Sequence, residues 1–90
     1  MWKNRAKMFV DKCSKIMIGR LEPVASIGLH THKTSSEIIY ILNGSVLALF
    51  DGAEERVDAG VVHYCPKGHS HSLINDAEED LIFFAVVPEQ

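Results

Sequence analysis

HTHKTSSEIIYILNG, residues 30–44, carries the reading of this chain. It opens with two histidines one residue apart, reaches Glu37 through a short polar turn, runs apolar over 38–42 and stops at Asn43-Gly44. Alternate residues of a strand share a face, so His30 and His32 can grip one ion from a single strand. Glu37 can enter the same space from the next strand. A third imidazole follows at His71, after the turn Pro66-Lys67-Gly68. Neutral imidazole suits zinc, copper, iron and nickel, and a carboxylate admits manganese and iron as well. The four groups His30, His32, Glu37 and His71 therefore read as the ligands of one divalent transition metal ion per chain, with manganese, iron, nickel and zinc as the candidates.

Outward from that stretch, the sequence from Ser14 onward is a series of short β-branched or apolar runs between turn residues, which predicts an all-β domain. Ser14 to Leu21 alternates and stops at Glu22-Pro23, and Ser26 to His32 is the first ligand strand. Residues 37–42 and 45–50 flank Asn43-Gly44, the dipeptide most favoured in a two-residue type I′ hairpin. Asp51-Gly52 closes a second turn before 54–58. After Ala59-Gly60, strands are expected over 61–65 and 70–75, then an acidic loop to Asp80 and a last strand over 81–87. Residues 2–12 fit either a helical turn or an edge strand. The organisation read from this is a basic arm or edge element at 1–13 followed by a single barrel domain at 14–90. Even strand spacing with tight turns points to a sandwich or barrel.

Register tests the ligand reading. If Glu37 faces inward, Ile39 and Ile41 share its face; if His71 faces inward, His69 and Leu73 do. The opposite face keeps Ile38, Tyr40 and Leu42 apolar. A strand apolar on both faces is buried on both, so a symmetric homodimer joined through such strands is expected.

Ninety residues make one domain with a modest core, to which a metal or partner chain would add stability. The 47% hydrophobic and 23% charged fractions are those of a soluble globular protein. No apolar run approaches the roughly 18 residues of a membrane helix, and no secretory pattern opens the chain, so a cytoplasmic protein without membrane contact is expected. Cys13 and Cys65 match no disulfide framework or CxxC pair and read as reduced thiols. Residues 1–20 hold six basic groups against Asp11, a balance of +5, while the other 70 hold three basic and eleven acidic groups, a balance of -8. The basic segment is short and without a recognition motif, which argues against nucleic-acid binding and for attraction to the acidic remainder.

Two stretches resemble the motifs of the cupin family. Residues 30–44 resemble the first: HxH, four residues, glutamate, six residues, glycine. Residues 60–75 resemble the second at every fixed place, with Gly60, Pro66, Lys67, Gly68, His71 and Asn75 in step. One departure stands at Val24, where the first motif usually has a glycine that shapes a turn. The resemblance implies a double-stranded β-helix, a jelly roll closed into a conical barrel, with an ion near its mouth.

Three histidines and a carboxylate leave one or two coordination positions for water or a small-molecule ligand, and openness distinguishes a catalytic site from a structural one. The first functional expectation is a metal-dependent enzyme acting on a small oxygenated metabolite, with His69 as the acid–base candidate. The alternative is a module that binds or senses a small ligand without chemistry. Cupins span dioxygenases, decarboxylases, isomerases and lyases as well as binding proteins, so the fold leaves the reaction class open. His63 reads as a half-buried strand residue, Cys65 as core, and Tyr40 and Phe50 as packing or interface aromatics. Arg20 and Arg56 are candidates for holding an anion.

Overall fold

Period-two alternation cut by Gly, Pro and Asp turns folds into strands alone among the described residues. The computed structural model describes residues 4–31 and 33–89, with side chains described for 8–27 and 33–89. In order the strands are β1 (Asn4–Val10), β2 (Ser14–Leu21), β3 (Ser26–Thr31), β4 (Glu37–Asn43), β5 (Ser45–Phe50), β6 (Ala53–Asp58), β7 (Val62–Cys65), β8 (Ser70–Ile74) and β9 (Leu81–Pro88). Residues 4–10, where the pattern leaves helix and strand open, pair with β2 as an edge strand.

Two antiparallel sheets face each other, with strand orders β1-β2-β9-β4-β7 and β3-β8-β5-β6. After β2 every connection passes from one sheet to the other except β5 to β6. This is the double-stranded β-helix that the motif resemblance implies. The inner faces meet over Leu21, Ile39, Ile41, Val46, Val57, Leu73, Leu81 and Phe83. Each such aliphatic or aromatic side chain contributes about 1.5–3 kcal/mol by leaving water. Gly19, paired with Phe83 across β2 and β9, makes room for that ring, because a Cβ there would stand 2.3 Å from its Cζ.

The turns divide differently from the expectation. Asn43-Gly44 does not close a hairpin: β4 and β5 lie in different sheets, and the chain crosses between them at Gly44. Gly44 is required there by a φ of +96° and by the Asp80 carbonyl, which would lie 2.9 Å from a Cβ. The two-residue hairpin is the next one. Phe50 pairs with Ala53 around Asp51-Gly52, whose φ values of 48° and 84° are both positive, as a type I′ turn demands. The dipeptide rule finds both sites, but only the sheet assignment tells a hairpin from a crossover.

Asn75, the last position of the second motif, is fully buried and stitches three segments. Its amide donates to the carbonyls of Leu21 and Glu79, each at 2.9 Å, and its carbonyl accepts from the Ala77 amide. Its backbone bonds Val24 and Ala25. Those two residues end a four-residue turn in which the Ala25 amide donates to the Glu22 carbonyl. Pro23 occupies the second position and Val24 the third, with φ 68°. A positive φ at the third position is the type II pattern, which favours glycine. Val24 thus holds the backbone that the missing motif glycine would adopt freely.

A left-handed conformation costs an L-residue about 1–2 kcal/mol, and a β-branched side chain tolerates it worst. Val24 is 87% exposed, so its side chain contributes little packing in return. Val24→Gly should therefore stabilise the fold, despite the added freedom of the unfolded chain, by about 1 kcal/mol. Thermal unfolding should show a Tm higher by about 4–8 °C; an unchanged or lower Tm would mean that the turn carries no strain.

Candidate functional site

Four ionisable side chains form a line across the interior, drawn from four strands. Glu37 opens β4 and is buried because Ile39 and Ile41, on the same face, belong to the core. Its Oε1 lies 2.9 Å from Nε2 of His71, on β8, which is 1% exposed. Nδ1 of His71 lies 3.0 Å from Nε2 of His63, on β7, and the two rings stack with centroids 5.2 Å apart. Nδ1 of His63 lies 3.0 Å from Oε1 of Glu55, on β6. Strands β4 and β7 belong to one sheet, β8 and β6 to the other. The line therefore ties the sheets together through side chains alone.

Local alternation explains each placement. On β7 His63 and Cys65 are buried while Val62 and Tyr64 are exposed. On β6 Glu55 is two residues before buried Val57, so its carboxylate leaves from the inward face and reaches β7 at the edge of the sheet. Of the predicted ligands, Glu37 and His71 come together. His30 lies in β3 with its backbone directly opposite His71 in the ladder with β8; its side chain, and all of His32, fall outside the described residues. Among the described residues no three His, Cys, Asp or Glu side chains gather as metal ligands.

His69 is placed differently from the strict alternation with His71. It precedes β8, which starts at Ser70, and remains half-exposed in the turn. Its ring stacks on Phe50 with centroids 5.4 Å apart, and Nδ1 donates to the Asp51 carboxylate. That bond and the Ser70 amide hold the Asp51 carboxyl below the usual carboxylate range. The type I′ hairpin thus aims Asp51 at the β8 turn. Phe50 pairs with His71 in the β5·β8 ladder, and its ring meets His63 edge-on at 6.1 Å. Phe50 is therefore the apolar bridge between His69 and the buried line, more than the packing aromatic read from the sequence.

His63 and Glu55 were legible only in part. Full burial of His63, where half-burial is expected, is possible because both ring nitrogens have partners. The available signal was a carboxylate on the face of β6 that also carries Val57, a mismatch with the apolar pattern. Arg20 and Arg56, the candidate anion holders, are engaged with Asp80 at 2.8 Å and, through two bonds of 2.7 Å, with Asp76.

Fold and motifs agree on the family. A family model for the cupin domain matches residues 17–87, and the chain belongs to the cupins. It is similar to a Thermotoga maritima protein named oxalate-binding protein, 36% identical over 84 residues. That match covers 93% of this chain and 64% of the relative, so the chain spans less than two thirds of the relative's length. A Thermotoga maritima crystal structure described as a predicted oxalate decarboxylase superposes with TM-score 0.91 at 30% identity, covering 97% of this chain and 81% of that one. The cupin domain of Schizosaccharomyces pombe Cnp3 superposes with TM-score 0.90 over all of this chain and 69% of that one; at 13% identity it shares the fold.

Cys65 pairs with Glu37 in the β4·β7 ladder and is fully buried. Burial pushes its thiol up to about 11, and the negative charges of Glu37 and Asp51 add to the effect. Only a thiolate is a strong nucleophile, so Cys65 should be inert in the native state while exposed Cys13 reacts. Titration with a chromogenic disulfide reagent should consume one thiol per native chain and both after denaturation. Two fast thiols in the native protein would contradict this burial.

Proposed function

We propose that this cupin holds one divalent transition metal ion between His30, His32, Glu37 and His71, and binds a small carboxylate ligand of the oxalate class on that ion. The observation that carries the reading is the approach of Glu37 Oε1 and His71 Nε2 to 2.9 Å inside the barrel. With metal–donor bonds of about 2.0–2.2 Å, two ligands at right angles lie about 3 Å apart. The backbone pairing of His30 with His71 supports the same site, because ladder partners bring their residues side by side. Mixed imidazole and carboxylate donors suit manganese, iron, nickel or zinc.

Charge argues for the ligand's dependence on the ion. An oxalate-like dianion entering a metal-free barrel would meet the Glu37 carboxylate in a site of low dielectric, where like charges repel strongly. A bound cation reverses that sign and offers its remaining coordination positions to carboxylate oxygens. The name of the Thermotoga maritima relative supports oxalate as the first ligand to test. A catalytic version is favoured by one feature, the Asp51–His69 pair at the β8 turn, where His69 keeps Nε2 free of the Asp51 bond for acid–base work.

Elemental analysis of untagged protein, beside the variant lacking all four proposed ligands, should find about one metal equivalent lost on substitution. Oxalate should then raise the Tm of metal-loaded protein, by the equivalent of about 2.7 kcal/mol at a hundredfold excess over Kd. Chelated protein should not respond. Absence of metal in both forms, or equal stabilisation without metal, would remove the proposal. In the same samples, oxalate consumption that disappears in His69→Ala with metal retained would support catalysis.

The outer face of the five-stranded sheet supports a homodimer. The ladders align Ile18, Phe84, Tyr40 and Val62 in one row and Ile16, Val86, Ile38 and Tyr64 in the next. Seven of these eight apolar residues are at least 37% exposed. Such a continuous apolar face is an interaction surface, and a second copy presents the same face. The free thiols accord with a reducing, cytoplasmic setting. Light scattering after gel filtration should give a dimer mass that falls to the monomer for Tyr40→Lys with Phe84→Lys; a monomeric parent protein would end this reading.

A further inference from the structure

We infer that His63, backed by Glu55, is the positioning residue for His71, fixing which nitrogen of that ring is available at the metal site. The inference rests on the metal reading and concerns residues outside the proposed ligand set.

The argument is an inventory of donors and acceptors. An ion coordinated at Nε2 of His71 takes the lone pair of that nitrogen and requires Nδ1 to carry the proton. That Nδ1–H then needs an acceptor, and at 1% exposure the ring is withdrawn from bulk solvent. Nε2 of His63, 3.0 Å away, is the acceptor. Accepting there requires the proton of neutral His63 to sit on Nδ1, which lies 3.0 Å from Oε1 of Glu55. Each ring is then a neutral imidazole in one tautomer, and each ring nitrogen has its proper partner. The Glu55 carboxylate can only accept, and with the proposed ion matching the Glu37 carboxylate to Nε2 of His71 at the other end, it sets the direction of the whole line.

Geometry reinforces the tautomer. The His63 and His71 rings stack at an interplanar angle of 14°, and Phe50 closes against the edge of His63. His63 is 2% exposed, so it has little room to turn away. Histidine ligands commonly donate their second N–H to a carboxylate or carbonyl, and loss of that partner costs about 10–100-fold in metal affinity. Here the acceptor is a second histidine, which extends the reach of the carboxylate from the barrel interior to the β6 edge.

The test is metal affinity by competition with a chromogenic chelator, using the ion found in the native protein. His63→Phe preserves ring volume and stacking but removes both nitrogens, and should weaken affinity by about 10–100-fold. His63→Gln should recover most of that loss, since its carbonyl can accept from His71 and its amide can donate to Glu55. Glu55→Ala, at a half-exposed position, should weaken affinity several-fold. It serves as the independent variant if His63→Phe does not fold, which Tm values of the metal-free proteins reveal. Wild-type binding with unchanged affinity in His63→Phe, or in Glu55→Ala where His63→Phe is unfolded, would overturn this inference alone. So would a His63→Gln as weak as His63→Phe. A wild type that takes up no metal would overturn it together with the reading on which it rests.

Discussion

The interior of this barrel is organised around one constraint: a buried carboxylate and two buried imidazoles must all find partners away from water. Leaving one such group unmatched costs about 1–3 kcal/mol, and more if it is charged. The line from Glu37 through His71 and His63 to Glu55 sets each of these groups against a partner on a different strand, and with the proposed ion between Glu37 and His71 every ring nitrogen in it is matched. Because those strands alternate between the two sheets, the polar line also fixes how the sheets lie against each other. Apolar packing alone would tolerate more sliding, since aliphatic contacts have little direction.

The rest of the molecule arranges itself around that line. Beside it, Ile39, Ile41, Val46, Val57 and Leu73 form part of the apolar core. At its flank, Phe50 separates the buried pair from half-exposed His69, which is held by Asp51 from the type I′ hairpin. At the far end, Asn75 closes the β2 and β8 ends with three side-chain hydrogen bonds. The result is a polar interior with one end at the β6 edge and the other at Glu37, enclosed by an apolar shell. The outer face of the larger sheet is also apolar, and among the described residues no strand or loop covers it.

Much of this was legible in the sequence because the relevant information is periodic or local. Alternation on β4 assigned Glu37, Ile39 and Ile41 to one face before any coordinates, and burial agrees. The spacing of Pro66, Gly68, His71 and Asn75 identified the turn into β8 and the residue that ends it. Even the departure at Val24 was visible as a place where glycine is usual, and the structure gives its meaning as a positive φ in a turn. Less legible was Asn43-Gly44, whose local chemistry fits a hairpin equally well. The strands it joins pair instead with others, β4 with β9 and β5 with β6 and β8, and no dipeptide preference carries that information.

Composition, alternation and motif spacing by themselves determined an all-β sandwich or barrel, the inward face of β4, and Glu37 and His71 as members of one candidate site. These follow from the period of a strand and from local turn chemistry, which a linear sequence records directly. Only the tertiary structure decided that His63 lies against His71, that Glu55 reaches His63, and that His69 belongs with Asp51 and Phe50. Those contacts join strands from opposite sheets or from turns distant in the chain. Their partners are chosen by how the two sheets close on each other, a three-dimensional constraint with no sequence period to announce it.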